Sequence, residues 1–129
     1  YNVKLHYVSP DILRMPPEII EELNQKGISQ TEHSTLEQAL PETDVLYVTR
    51  VQKERFDNPE DYEKVAGAFI IDPEIMKAAK KKMIVMHPLP RVGEISMDFD
   101  DDSRAAYFRQ MEYGLFVRMA LLALVLGKA

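Results

Sequence analysis

A chain of 129 residues, 46% hydrophobic and 29% charged, has the make-up of one folded domain rather than a disordered segment. Its net charge of -5 excludes a nucleic-acid-binding module, which needs a basic surface to neutralise phosphates. The absence of cysteine removes any disulfide framework, thiolate metal site or thiol nucleophile, and fits a reducing cytoplasm. The first residues, YNVKLHYVSP, lack the basic head and apolar core of a signal peptide. The apolar run MALLALVL at 119–126 falls well short of the roughly 20 residues a membrane helix needs. A soluble, cytoplasmic protein without a membrane or nucleic-acid partner is expected.

Residues 3–8 alternate apolar with polar and predict a strand, broken by Ser9-Pro10-Asp11. Pro16-Pro17 opens a helix that Gly27 should close. A weaker strand is expected over 28–33, then a short helix over 35–40 capped by Ser34 and stopped by Pro41. DVLYVT at 44–49 reads as a buried parallel strand, and QKERFDNPEDYEK after it as an aperiodic polar loop. Asp72-Pro73 should cap a helix, EIMKAAKKK, followed by a buried strand over 83–86. One long helix is expected from Arg104 to about Leu126, apolar nearly all round beyond Leu115. Strands alternating with helices predict an α/β domain of three layers, a parallel sheet flanked by helices, with no internal repeat or interdomain linker.

Parallel sheets bind ligands beyond the carboxyl ends of their strands. Two loops leave such ends. The first, Arg50-Val51-Gln52-Lys53-Glu54-Arg55, is rich in donors, and its arginine forks suit a carboxylate. The second, His87-Pro88-Leu89-Pro90-Arg91, removes donors, because proline has no N–H, and leaves carbonyl oxygens. Guanidinium on one side and bare carbonyls on the other suit a small amino acid. Taken singly, each feature has an ordinary reading as well. A charged loop is commonly solvated surface, and His87 is a structural histidine more often than a base or ligand. Neither His6 nor His33 adds a metal-ligand spacing, and the scattered glycines make no phosphate loop. Asp98, Asp100, Asp101 and Asp102 lack the glycine and closing glutamate of a calcium loop and read as a solvated acidic turn. No metal site and no cofactor is expected.

TRVQKERF at 49–56 and MHPLPRVGEI at 86–95 resemble the aspartate-binding half of aspartate transcarbamoylase. The resemblance continues through SPDILRMPP at 9–17, DVLYVTR at 44–50 and the segment 104–127, and so covers nearly the whole chain, residues 1–129 being one such domain. It implies a Rossmann-like fold and transfer of the carbamoyl group of carbamoyl phosphate to the amine of L-aspartate, a step of pyrimidine synthesis. By the same resemblance Arg50 holds the side-chain carboxylate of aspartate and Gln52 helps position the amino acid. Lys53, Glu54 and Arg55, with Asp61 and Tyr62 farther on, order a mobile loop that closes over substrate. The Leu89-Pro90 peptide is cis, and the carbonyls of Pro88 and Leu89 accept from the carbamoyl amide and the incoming amine.

Ornithine transcarbamoylases resemble the chain too but carry cysteine where Pro88 stands, which favours aspartate. The family's phosphate-binding motif belongs to an amino-terminal domain not contained in this sequence. Carbamoyl phosphate would therefore be a partner through that domain, with a neighbouring subunit of a homotrimer completing the site. The chain alone is expected to be inactive, and to cover its last helix by dimerisation or helix exchange. Two alternatives stand beside this reading: a transcarbamoylase for another amino acid, and a non-catalytic binding domain.

Overall fold

The computed structural model of the chain describes residues 2–67 and 69–128, with Arg55 described by its backbone alone. Among the described residues, four strands and four α-helices follow in α/β order. β1 (Lys4–Val8) crosses through α1 (Pro17–Gln25) to β2 (Ser29–His33), and the two strands pair in parallel from Lys4↔Ser29 to Val8↔His33. β3 (Val45–Tyr47) pairs in parallel with β4 (Ile84–Met86) from Val45↔Ile84 to Tyr47↔Met86. In the chain α2 (Leu36–Ala39) lies between the two pairs, α3 (Pro59–Val65) lies on the crossover from β3 to β4, and α4 (Tyr107–Val125) follows β4.

Local chemistry explains most of these boundaries. Pro17 sits in the first turn of α1, where its missing N–H has no partner to lose. Gly27 ends the helix at φ +70°, with Ile28 N–H donating to the Leu23 carbonyl at 3.0 Å, the bond pattern of a left-handed cap. Gly127, at φ +63°, closes α4 in the same way. The core gathers around β4: Leu40, Met76, Val85, Phe99 and Tyr107 have no exposed surface.

Four elements differ from expectation. Ser34 does not cap α2 with its side chain; Thr35 occupies the cap position, and the Ser34 N–H donates instead to Gln38 Oε1 at 3.3 Å. The stretch after Asp72 is a 3₁₀ turn, Ile75–Ala78, not a helix through Lys82. Glu74, not Asp72, holds the cap position of this turn, while Asp72 accepts from Ile75 N–H at 2.8 Å from two residues farther back. Lys80 then reaches back to the Glu42 carbonyl and Asp44, both at 2.8 Å. A short helix gains little per added residue, and this tertiary contact outweighs it. β3 is not buried on both faces: Leu46 packs on the core, whereas Val45 and Tyr47 are more than half exposed. The polar stretch after Arg50 contains α3, because Asn58 accepts from Glu60 N–H at 3.0 Å and Pro59 stands at the first helical position.

Across β1 and β2, His6 and His33 stack with ring centroids 5.1 Å apart and share an Nδ1–Nε2 hydrogen bond of 2.8 Å. One ring must donate and the other accept, so the two facing nitrogens cannot both carry a proton. Burial lowers the pKa of His6 below its usual 6.5, and Lys4, His33 and Lys80 push the same way against Glu42. The unfolded chain therefore binds more protons than the folded one between the lowered value and 6.5. The contribution of His6 to stability is complete above that window and is lost as pH falls through it. Thermal unfolding followed by circular dichroism from about pH 8 to about pH 5 should show Tm falling on acidification. His6→Gln should flatten the slope, and an unchanged slope would remove His6 as its source.

Candidate functional site

β3 and β4 end side by side, with Val48 N–H donating to the Met86 carbonyl at 2.9 Å. The chain beyond β4 then folds on its own scaffold. His87 is 1% exposed. Its N–H donates to Gln110 Oε1 of α4 at 2.9 Å, and its Nδ1 accepts from Leu89 N–H at 2.8 Å. With Nδ1 accepting, the ring proton lies on Nε2 and is donated to Glu94 Oε1 at 2.7 Å. Glu94 Oε2 in turn accepts from Val92 N–H at 2.9 Å. Burial works to raise the Glu94 pKa, but the Val92 and Glu94 amides and His87 outweigh it and hold the carboxyl below its usual range.

The Leu89–Pro90 peptide is cis. Leu89 has φ +49°, a left-handed conformation that costs an L-residue roughly 1–2 kcal/mol. Its bond to the His87 ring helps offset that cost. The amides of His87, Leu89 and Val92 are thus spent on the scaffold. Among the described residues, no hydrogen bond engages the carbonyl oxygens of Pro88 or Leu89. His87 is the hydrogen-bonded structural histidine its residue type suggested.

On the neighbouring loop, both Nη atoms of Arg50 donate to the Glu54 carboxylate, the longer contact being 3.2 Å from Nη1 to Oε2. This hydrogen-bonded pair raises the Arg50 pKa above its usual value. The 3₁₀ turn Lys53–Arg55 brings Glu54 within reach, one helical turn beyond Arg50. Lys53 Nζ lies 5.4 Å from the centroid of the Tyr62 ring, whose edge meets Phe56. Asp61, on α3 with Tyr62, pairs with Lys64 at 2.6 Å. Gln52 precedes the 3₁₀ turn and is half-buried. The Arg55 side chain lies outside the described residues.

A cleft of about 670 Å³ opens beside this loop, lined by parts of β1 and β3 together with Arg50, Tyr62, Val92 and Glu94. The structure therefore brings Arg50 and Tyr62 to the residues that brace the proline corner. Gln52, Lys53, Asp61, Pro88 and Leu89 do not line the cleft.

The acidic turn carries more than its sequence suggested. Asp100 takes the Arg91 guanidinium fork, with Nη2 to Oδ2 at 2.6 Å, and accepts from the Tyr107 hydroxyl at 2.6 Å. Hydrogen bonds from Arg91 and Tyr107 hold the Asp100 carboxyl down at about 2. Burial, then Asp100, pushes the Tyr107 phenol up to about 12. Asp102 takes a second fork, from Arg104, which also donates to the Met76 carbonyl at 2.8 Å. Reading this segment as a solvated turn is corrected for both carboxylates. The available signal was the pair of arginines, Arg91 and Arg104, flanking the acidic run. Among the described residues no group of three or more His, Cys, Asp or Glu side chains could hold a metal ion. No helix there is long and apolar enough to cross a membrane.

The family model described as the Asp/Orn-binding domain of aspartate/ornithine carbamoyltransferase matches residues 1–125. The chain belongs to that family. It is 64% identical over 127 residues to the multifunctional protein pyr1-3 of Dictyostelium discoideum, covering 98% of the chain and 6% of that protein. It is 51% identical over 127 residues to the aspartate carbamoyltransferase catalytic subunit of Thermococcus gammatolerans, covering 98% of the chain and 41% of that subunit. The aspartate transcarbamoylase catalytic subunit of M. jannaschii superposes with a TM-score of 0.88 at 48% identity, over 99% of the chain and 42% of that structure. Aspartate transcarbamoylase from Trypanosoma cruzi, solved with carbamoyl phosphate and aspartate, superposes with a TM-score of 0.84 at 44% identity, over 95% of the chain and 41% of that structure. The fold is thus the Rossmann-like α/β domain of aspartate transcarbamoylases, and the chain spans well under half the length of these relatives.

Proposed function

We propose that the chain is the aspartate-binding half of an aspartate carbamoyltransferase acting in pyrimidine biosynthesis. The observation that carries the reading is the pairing of two loops at one sheet end. One presents the guanidinium of Arg50; the other has its amides engaged internally while the Pro88 and Leu89 carbonyls accept no bond among the described residues. In the proposed complex Arg50 receives the side-chain carboxylate of aspartate, and Gln52 helps orient the amino acid. Glu54 aims the Arg50 fork before substrate arrives. Lys53, Arg55, Asp61 and Tyr62 belong to the segment that closes over the site.

The amine of aspartate attacks the carbonyl carbon of carbamoyl phosphate. A C–N bond forms, the C–O bond to phosphate breaks, the amine loses a proton and inorganic phosphate leaves with the bonding electron pair. The Pro88 and Leu89 carbonyls accept from the carbamoyl NH₂ and from the attacking amine, fixing the line of attack. Orientation of two bound reactants is the main catalytic device on this half, and no covalent enzyme intermediate is needed. Carbamoyl phosphate, the partner domain that binds its phosphate and a homotrimeric assembly belong to the proposal for the longer protein. Chromatographic detection of the carbamoylated product from the full-length protein, offered aspartate, ornithine and glutamate in turn, is the test. Preference for aspartate is expected. Preference for ornithine or glutamate would give Arg50 another role, and no product at all would leave a binding domain.

A further inference from the structure

The proline corner is held from outside by a cluster that makes none of the proposed substrate contacts. Arg91 follows Pro90 directly, and its guanidinium donates through both Nη atoms to Asp100. Tyr107 donates its hydroxyl to the same carboxylate at 2.6 Å, and its ring centroid lies 5.7 Å from the guanidinium carbon of Arg91. Tyr107 is fully buried at the start of α4, and that start is stitched to β4. Val85 N–H donates to the Arg104 carbonyl at 2.8 Å, and Ala106 N–H to the Val85 carbonyl at 2.9 Å. Asp100 therefore joins the residue leaving the corner to the strand that enters it. The other ties run through Gln110, His87 and Glu94. Asp100 is the only tie of the described set that grips the chain beyond Pro90 by a charged, two-point contact.

We propose that Asp100, acting through Arg91 and Tyr107, is a positioning residue that sets where the Pro88 and Leu89 carbonyls stand for the reacting amine. The proposal rests on the carbamoyl-transfer reading above. A carboxylate that grips the guanidinium at two points leaves Arg91 little freedom to swing, and the short link from Arg91 to Leu89 passes that restraint to the acceptor oxygens. Asp100→Asn keeps the volume and removes the charge that holds the fork. Asp100→Glu keeps the charge, and Arg91→Lys keeps the opposite charge while losing the second contact point.

In the full-length protein, Asp100→Asn should lower kcat roughly 10- to 100-fold with a smaller change in KM for aspartate, the size expected when reacting groups shift by about an ångström. Asp100→Glu should recover part of the loss. Hydrogen exchange at the His87, Leu89 and Val92 amides, read by mass spectrometry, should quicken in Asp100→Asn while circular dichroism shows the fold retained. Where Asp100→Asn fails to fold, Arg91→Lys carries the same pair of measurements. Normal kcat in a folded variant overturns the proposal, as does faster exchange with unchanged kinetics. Lost kcat with unchanged exchange overturns it too, because the effect would not travel through the corner. If the unsubstituted protein makes no carbamoyl aspartate, the underlying reading fails, while the exchange data still report whether Asp100 orders the corner.

Discussion

Replacing Arg50 by alanine in the full-length protein is expected to lower kcat/KM for aspartate by roughly 10²–10³-fold, the cost typical of removing one preorganised donor from a polar site. Affinity for carbamoyl phosphate should change little, because the phosphate is proposed to sit on another domain. The guanidinium already holds a carboxylate in the structure, that of Glu54, through both of its Nη atoms. Glu54 keeps the fork aimed, and the Nε edge of the guanidinium, unbonded among the described residues, can take a second carboxylate. Steady-state kinetics with each substrate varied in turn check this. Arg50→Lys should rescue only in part, since an ammonium supplies charge without the planar fork. Near-normal kinetics with aspartate in Arg50→Ala would remove the arginine from the substrate.

The 129-residue chain by itself is expected to form no detectable carbamoyl aspartate, and to associate in solution. The loss of activity follows from the proposal that the phosphate is gripped elsewhere in a longer protein. Association follows from α4. Leu121, Leu122, Leu124, Val125 and Leu126 are between 56% and 83% exposed, and Phe116, Val117 and Met119 before them are also open. An apolar surface wrapping several helical turns exceeds what a monomer ordinarily leaves in water. A second copy is the expected cover, by dimerisation or by exchange of α4. A colorimetric ureido assay and analytical ultracentrifugation at micromolar concentration check the two parts. Turnover near that of the full-length protein would place a phosphate site within these residues. A clean monomer would mean that this helix repacks on its own domain.

The chemistry of the two loops was legible in the sequence because it depends on residue type at fixed spacing. A proline pair cannot donate, and an arginine fork can only donate, wherever the chain runs. The same holds for the alternation of strands and helices, the Gly27 cap and the bond that Asp72 offers to the turn after it, each set by local sterics or one local bond. The cap of α3 is set by an equally local signal, Asn58-Pro59, although the lack of periodicity there pointed to a loop.

Other features were decided only in three dimensions. The 3₁₀ turn after Asp72 stops at Ala78, and Lys80 beyond it contacts Glu42 and Asp44, 38 and 36 residues away in sequence. Whether Val45 and Tyr47 are covered depends on which elements pack over one face of a three-residue strand, which apolar content alone does not show. The acidic turn is the clearest case. Composition describes Asp98, Asp101, Asp100 and Asp102 alike, yet only Asp100 and Asp102 have arginine forks brought to them. Sequence determined which groups could accept a charge. Tertiary structure chose which of them did, because a carboxylate leaves water favourably only where packing has already placed a guanidinium beside it.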